Sequence, residues 1–585
     1  MADLQHYPNR PTVTRRGFLG GTAALFTNKA NAAAKPNFVF ILTDDQGWFD
    51  LGVNGNPHIE TPHIDRLAAE GVRFTHFYAS PVCTPTRAAL MTGRHYQRTG
   101  AVDTFLGRDT LDSRETTMGD IFQKAGYRTA CVGKWHLGRY MKYHPNNRGF
   151  DEYFGFWQYG FMNRYDDSDE LFDNKTPVEV TGYITDVLTD RAIQFVRQNG
   201  TRPYFLYLPF NAPHAPYLVP DRYIERYLKK NIPLEDARIY GMLTCVDENI
   251  GRLLKAIDRE NTVVVFMGDN GGVSHFFKAG LRGNKGSAYE GGVRVPFIVK
   301  WPGKFAAGAV VDAMAQHIDV LPTFCDIAEI PIPAKLDGKS VAPLLRAGKG
   351  TSPHEFIYNQ WNRGHPVLTT VAGDAELKAN WSIRNARGEK LHSSGELFDL
   401  ARDPGETTDL ASAKPETASA LRREFARFHA DVTQGRDYKR VPIEVGRADE
   451  NPVEIDLTWG DPVGKKVHPK YLHYNRDIIE DWTESGDLVR WKIDVVEAGD
   501  YEVVLSYGCD PGQQGSIVRV QVGAVHTDHT VLATPGRTIF RTLSAGYLKL
   551  NKGFAALEIK PVSIAARELM VIHRIWLRRT NATRN

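Results

Sequence analysis

The chain has 585 residues, 72 basic against 69 acidic for a net charge of +3, and 42% hydrophobic residues. That length exceeds one ordinary domain and suits two or three. So even a charge balance leaves no basic field for nucleic acid. No apolar run approaches the length of a membrane span, and the longest, Phe38–Leu42 and Val263–Met267, have strand length.

At the start of the chain, Thr14-Arg15-Arg16-Gly17-Phe18-Leu19-Gly20 resembles a twin-arginine export signal. A mild apolar stretch from Gly20 to Phe26, then Lys29 and the small-residue run from Ala30 to Ala34, complete the pattern. Residues 1–34 are therefore predicted to be a signal peptide. The partner implied is the twin-arginine export machinery, which carries folded proteins, and the location implied is periplasmic or secreted. The five cysteines, Cys83, Cys131, Cys245, Cys325 and Cys509, are odd in number and widely spaced, which does not suggest a disulfide framework.

Asn37–Thr43 is a continuous apolar run that suits a strand buried on both faces. Similar runs are Thr129–Gly133, Tyr204–Pro209, Thr262–Gly268 and Pro296–Val299. Helical patterns lie between them at Ile64–Glu70, Thr116–Ala125, Thr185–Gln198 and Glu235–Asp258. This alternation predicts an α/β domain over 35–335 with a mainly parallel central sheet flanked by helices. Chemically useful residues follow four of the runs: Asp44 and Asp45, then Lys134 and His136, then His214, then Asp269 and Asn270. Ligands in open α/β sheets bind beyond the carboxyl ends of strands, so these residues are expected to share one site.

Pro81-Val-Cys-Thr-Pro-Thr-Arg-Ala-Ala-Leu-Met-Thr-Gly-Arg94 predicts a helix that begins near Cys83. Pro85 suits a first turn, Ala88 to Met91 are good helix formers, and Gly93 is a stop. Unpaired N–H groups at that end favour negative charge on a nucleophile or a substrate. Arg87 falls one turn further along, on the same face. Lys285 sits in the glycine-rich run Gly283–Pro296. Asp44, Asp45, Asp269 and Asn270 offer four hard oxygen donors, which suit Ca²⁺ or Mg²⁺ better than zinc. His58 and His63 lack the spacing of a helical ligand pair and are expected on a surface loop.

Residues 336–432 read as a small α+β subdomain, from Glu396-Leu-Phe-Asp-Leu and an amphipathic helix over Pro415–Val432. Segment 433–455 reads as a linker. From 456 to 585 short β-branched strands, Val489–Val495, Asp500–Tyr507, Ser516–Val522 and Ala555–Ile559, alternate with turn residues and predict an all-β sandwich. This accessory module loosely resembles galactose-binding-like modules of secreted carbohydrate enzymes. Sugar binding and a structural role are both open for it. Segments Gly155–Asn174 and Asn359–Pro366, aromatic and polar, are candidates for specificity.

Cys-x-Pro-x-Arg followed by Ala-Ala-Leu-Met-Thr-Gly-Arg resembles the signature of the formylglycine-dependent sulfatases, members of the alkaline phosphatase superfamily. Thr61–Gly71 and Glu396-Leu-Phe-Asp-Leu extend the resemblance over roughly 36–412. It implies an alkaline-phosphatase-like fold and an arylsulfatase-like sulfuric ester hydrolase. Cys83 would be converted to formylglycine (3-oxoalanine) by a maturation enzyme. Asp44, Asp45, Asp269 and Asn270 would bind one calcium ion, with residue 83 completing its shell and Mg²⁺ as the alternative. Arg87, Lys134 and Lys285 would hold residue 83 and the sulfate. His214 would contact the substrate and protonate the departing alcohol, and His136 would take the proton that releases sulfate. Asp269 would help activate the nucleophile. The substrate implied is a sulfated small molecule or glycan. Two other readings stay open: a phosphonate or phosphate monoester hydrolase of the same superfamily, and an inactive protein that binds sulfated glycan.

Overall fold

The computed structural model describes residues 35–200, 202–362, 380–436, 438, 440–470 and 477–580. The expected signal over 1–34 and residues 363–366 of the second specificity segment lie outside them. A ten-stranded sheet forms the centre. In chain order its strands are β1 (Asn37–Thr43), β2 (Val72–Phe74), β3 (Arg128–Val132), β4 (Glu152–Gly155), β5 (Leu171–Asp173), β6 (Thr176–Val178), β7 (Tyr204–Pro209), β8 (Thr262–Gly268), β9 (Phe297–Lys300) and β10 (Ala309–Val311). They lie in the order β10-β2-β9-β8-β1-β7-β3-β4-β5-β6.

The five central strands from β8 to β4 are parallel. The run at 296–299 enters this sheet as β9, antiparallel to both neighbours, so the sheet is mixed at its margins. β1 explains the apolar runs. Phe38, Phe40 and Leu42 enter the core on one face, Val39 and Ile41 the core on the other. A strand covered by helices on both faces has no polar side to alternate with.

Helices Pro62–Glu70, Ile184–Gln198 and Leu234–Ala256 cover one face. Helices Cys83–Thr92, Met118–Lys124 and Val320–Ile327 cover the other. Helix Ala342–Ala347 buries Ala342, Leu344 and Leu345 in that second core, so the main domain reaches past the expected boundary at 335. The subdomain proper is an antiparallel sheet of Phe356–Gln360, Trp381–Asn385, Glu389–His392 and Leu397–Asp399, packed on helix Pro415–Thr433. Buried Lys390 bonds Glu290 and Glu406, both at 2.9 Å, which ties this sheet to the Gly283–Pro296 run.

Two six-stranded sheets form the terminal sandwich over one shared core that includes Trp482 and Trp491. The segment expected to be a linker is corrected here. Ile443–Val445 pairs with Leu488–Val495, and Val453–Glu454 pairs with Val571–Thr580, so both belong to the sandwich. The long strands Arg541–Leu550 and Val571–Thr580 were not singled out in the sequence. The sandwich is also no loose appendage. Tyr140 and Tyr143 of the catalytic sheet's loops belong to its apolar core. No helix among the described residues is long and apolar enough to cross a membrane.

Candidate active site

The carboxyl ends of β1, β3, β7 and β8 meet at one edge of the sheet, where backbone bonds knit their loops together. Asp44 donates its N–H to the Ala212 carbonyl at 3.0 Å, Lys134 to Pro209 at 2.9 Å and Asp269 to Thr43 at 2.9 Å. The Cys83 helix points its N-terminus at the same place, with Val82 extended as its cap. The Lys285 loop is fastened there by Gly286 N–H to the Pro81 carbonyl at 2.8 Å. All ten residues singled out in the sequence therefore gather at one site. Its backbone is strained: Asp45 and His136 adopt left-handed φ of 70° and 59°, uncommon without a glycine and frequent where geometry serves chemistry.

The charges are buried and paired. Arg87, 0% exposed, donates from Nε and Nη2 to Asp269 Oδ2 at 3.2 and 2.9 Å, and from Nη1 to the Lys134 carbonyl at 3.0 Å. Lys134 Nζ lies 2.5 Å from Asp44 Oδ2, and Lys285 Nζ lies 2.6 Å from Asp45 Oδ1. Burial alone would raise the Asp44 carboxyl, but Lys134, His214, Arg87 and Lys285 outweigh it and hold it well below the usual carboxylate range. Burial and the neighbouring Asp44 charge push Asp269 up to about 7.

Two oxygens in this cluster lack a donor. Asp44 Oδ1 and Asn270 Oδ1 are buried with no hydrogen-bond partner. Ligand atoms of Asp44, Cys83 and Asp269 lie within 4.8 Å of one another, as do those of Asp44, Asp45 and His214. Three carboxylates and a carboxamide oxygen, two of them with orphaned lone pairs, fit a hard divalent cation. His58 takes no part; its ring packs 4.9 Å from Phe276.

The two histidines present opposite nitrogens. A carbonyl can only accept, so His136 Nε2 carries the proton it donates to Thr104 at 3.0 Å. Its Nδ1 is left as an acceptor, 3.5 Å from Cys83 Sγ. His214 Nδ1 donates to the Ala215 carbonyl at 2.6 Å, which turns Nε2 towards Asp45, 3.9 Å away. Burial, then Lys134, holds His136 well below the usual imidazole range; burial, then Lys285, lowers His214. Gly160 closes over His136, where a Cβ would come within 2.3 Å of the ring. Burial raises the Cys83 thiol despite Lys134 and Lys285, so the unmodified thiol stays protonated and is a poor nucleophile.

The helix-terminal cysteine, a buried cation cluster and an oxygen-rich cradle at one sheet edge form a site for transfer of a tetrahedral anion. Comparison with known proteins decides which. The sulfatase family profile matches residues 36–330, and that of the N-sulphoglucosamine sulphohydrolase C-terminal region matches 283–430. The chain belongs to the sulfatase family. The N-acetylgalactosamine-6-sulfatase of Mus musculus is 32% identical over 462 residues, which cover 68% of this chain and 87% of that protein. Arylsulfatase G of Rattus norvegicus is 31% identical, with 75% and 92% covered. The solved structure of Ps i-CgsB in complex with k-i-k-neocarrahexaose matches with 31% identity and a TM-score of 0.62, over 68% of this chain and 94% of that one. This sulfatase is thus a sulfuric ester hydrolase with the alkaline-phosphatase-like fold.

Beside residue 83 of the sulfatase opens a cavity of about 770 Å³. Both candidate segments reach it, through Tyr159, Gly160 and Phe161 and through Trp361. Sequence reasoning missed the rest of the wall. Phe105, Arg139 and Ser287 come from the catalytic domain, and Thr458 and Asp477 from the sandwich. Arg139 stands three residues beyond His136, the one signal that could have drawn attention to it.

Proposed function

We propose that this sulfatase hydrolyses sulfate esters of saccharides, with residue 83 as formylglycine and with a calcium ion. The observation that carries the reading is the cavity itself, in which aromatic walls suited to sugar rings, Phe105, Tyr159, Phe161 and Trp361, end on Cys83, His214 and Lys285. The relatives named for a sulfated amino sugar and the structure holding a carrageenan oligosaccharide support it.

Residue 83 lies at the helix N-terminus, where backbone N–H groups and the dipole favour the negative charge of sulfate. Arg87, Lys134 and Lys285 surround that position with charge that needs no reorganisation during the reaction. Hydrated formylglycine supplies two hydroxyls, one to accept the sulfuryl group and one to expel it. Asp44, Asp45, Asp269 and Asn270 would hold calcium, with magnesium as the alternative, which would neutralise sulfate charge and favour the ionised nucleophile. His136 Nδ1 faces residue 83 as a proton acceptor, and its neutral state keeps it ready for that task. His214 Nε2 gives a proton to the leaving oxygen. An anion in the cavity opposes the effect of Lys285 and favours the protonated imidazole.

The test is sulfate release from nitrophenyl sulfate, N-acetylgalactosamine 6-sulfate and a carrageenan oligosaccharide, beside turnover of a phenylphosphonate ester. Saccharide desulfation is expected. Faster turnover of the phosphonate ester, or no turnover at all, overturns the reading. The same reading makes the enzyme exported on the pattern of Thr14–Gly20. With Arg15→Lys and Arg16→Lys together, precursor should accumulate in the cytoplasm, and unchanged export would remove the signal.

A further inference from the structure

The seam between the catalytic domain and the sandwich runs along the rim of the cavity. On the sandwich side it is built round Asp456. Its Oδ1 accepts from Thr458 N and Oγ1 at 2.8 and 2.6 Å, which caps the short helix Leu457–Trp459. Its N–H donates to Tyr140 Oη at 3.2 Å, and its carbonyl accepts from Trp491 Nε1 at 2.8 Å. Asp456 is therefore fixed from both domains. Its remaining oxygen, Oδ2, pairs with Arg139 Nη1.

Arg139 lines the cavity and lies over the Tyr159 ring at 4.4 Å. The bond to Asp456 uses Nη1, and among the described residues Nη2 has no partner. The nearest other carboxylate, Asp109, is 4.0 Å from Nε. Nε is buried without a hydrogen-bond partner, so a guanidinium set over an aromatic ring and held through Nη1 keeps Nη2 for a ligand, with little rotamer freedom left to lose. The seam itself is tightly closed. Gly107, at φ +74°, faces the Trp459 ring so closely that a Cβ would come within 2.7 Å of it. Tyr140 packs edge-on to Trp459 at 5.1 Å. The wall that carries Thr458 cannot swing away without opening that apolar contact.

We propose that the terminal sandwich is a wall of the substrate pocket, and that Arg139, held by Asp456, grips the saccharide that leaves after sulfate transfer. This rests on the carbohydrate reading above. Sulfate is held on the Cys83 side of the cavity. Arg139 and Thr458 meet the sugar oxygens beyond it, with Tyr159 as the apolar surface. Arg139 binds substrate, and Asp456 acts through Arg139 as a positioning residue. A nitrophenyl leaving group has no hydroxyls for the guanidinium and gains less from it.

The experiment compares kcat and KM of the full-length enzyme, Arg139→Met, Arg139→Lys and Asp456→Asn on nitrophenyl sulfate and N-acetylgalactosamine 6-sulfate. Melting curves check the fold of each variant. For Arg139→Met and Asp456→Asn, the loss in kcat/KM should be at least tenfold larger on the saccharide and should sit in KM, with Arg139→Lys between them and the wild type. Should Asp456→Asn unfold, the two Arg139 variants still decide. Wild-type enzyme that turns over nitrophenyl sulfate but neither N-acetylgalactosamine 6-sulfate nor the carrageenan oligosaccharide overturns the carbohydrate reading and the pocket assignment with it. Wild-type enzyme that accepts the saccharide, with variants that lose equally on both substrates or in kcat alone, overturns the pocket assignment by itself and makes the seam a brace.

Discussion

The edge of the central sheet and the terminal sandwich treat charge in opposite ways. At the sheet edge Asp44, Arg87, Lys134 and Asp269 are all 0% exposed. In the sandwich the core is Trp482, Trp491, Ile493, Leu505 and their neighbours. Its charges mostly pair on the outside, as in Arg490–Glu558, Arg519–Asp528 and Arg578–Glu502. Exposed pairs of that kind add about 0–1 kcal/mol each. Buried pairs repay their desolvation only when geometry and partners are complete, and apolar replacements often serve stability as well. A buried charge cluster is therefore poor evidence for stability and good evidence for chemistry. Of the sandwich's buried carboxylates, Asp487, Glu480 and Asp456, it is Asp456 that pairs with Arg139 on the rim of the cavity.

The largest effect expected is at residue 83. Cys83→Ala should bring turnover to background with the fold kept. In active wild-type enzyme the tryptic peptide ending at Arg87 should carry the mass of an aldehyde in place of the thiol; an intact thiol in fully active protein removes formylglycine from the mechanism. Asp269→Asn comes next, because it takes from Arg87 the nearer of its two carboxylates, leaving Asp44 at 3.7 Å, and removes one charged ligand from the oxygen cradle. Elemental analysis should show calcium lost together with activity. Retained calcium at full occupancy would move the metal elsewhere.

His214→Ala sharpens the chemistry of the same edge. General acid catalysis contributes on the order of 10²–10⁴-fold, most where the leaving group is poor. The loss should thus be far greater on a sulfated sugar than on nitrophenyl sulfate. Equal losses would leave His214 as a sulfate contact alone.

The seam gives a smaller effect, on stability. Trp459 is 3% exposed and packs on Tyr140 and Gly107. Trp459→Ala should cost about 3–5 kcal/mol, read as a lower melting temperature. A change within experimental error would mean that the two parts are joined by polar contacts alone.

The last effect, read as a dependence on pH, separates a buried carboxylate with no cation from those in the cluster. Asp50 accepts from Gly47 N–H at 2.9 Å through Oδ2, and its Oδ1 is buried without a partner. Burial, aided by Asp236, pushes it up to about 8. The folded value lies above the unfolded one, so the stability this group contributes is complete below about 4 and is lost as pH rises through about 8. Asp50→Asn cannot titrate. Its melting temperature relative to wild type should rise from pH 5 to about pH 8 and then level off, and a flat difference would show Asp50 ionised throughout.

The sequence by itself determined the central strands, the helix at Cys83 and the meeting of ten polar residues at one sheet edge. Apolar runs such as Asn37–Thr43 are long enough to mark strands covered on both faces, and a parallel sheet sends every such strand's end to one edge. Short strands such as Glu152–Gly155 and Leu171–Asp173 were illegible because a few residues carry no period. The linker was misread for the same reason, since two- and three-residue strands there exist through their partners in the sandwich. Tertiary structure alone decided the rest. The nitrogen each histidine presents follows from carbonyls at Thr104 and Ala215, and the pocket wall draws on Thr458, more than 300 positions from His136. Spacing along a chain encodes local periods, while a cavity is enclosed by whichever loops the packing of separate cores brings to one rim.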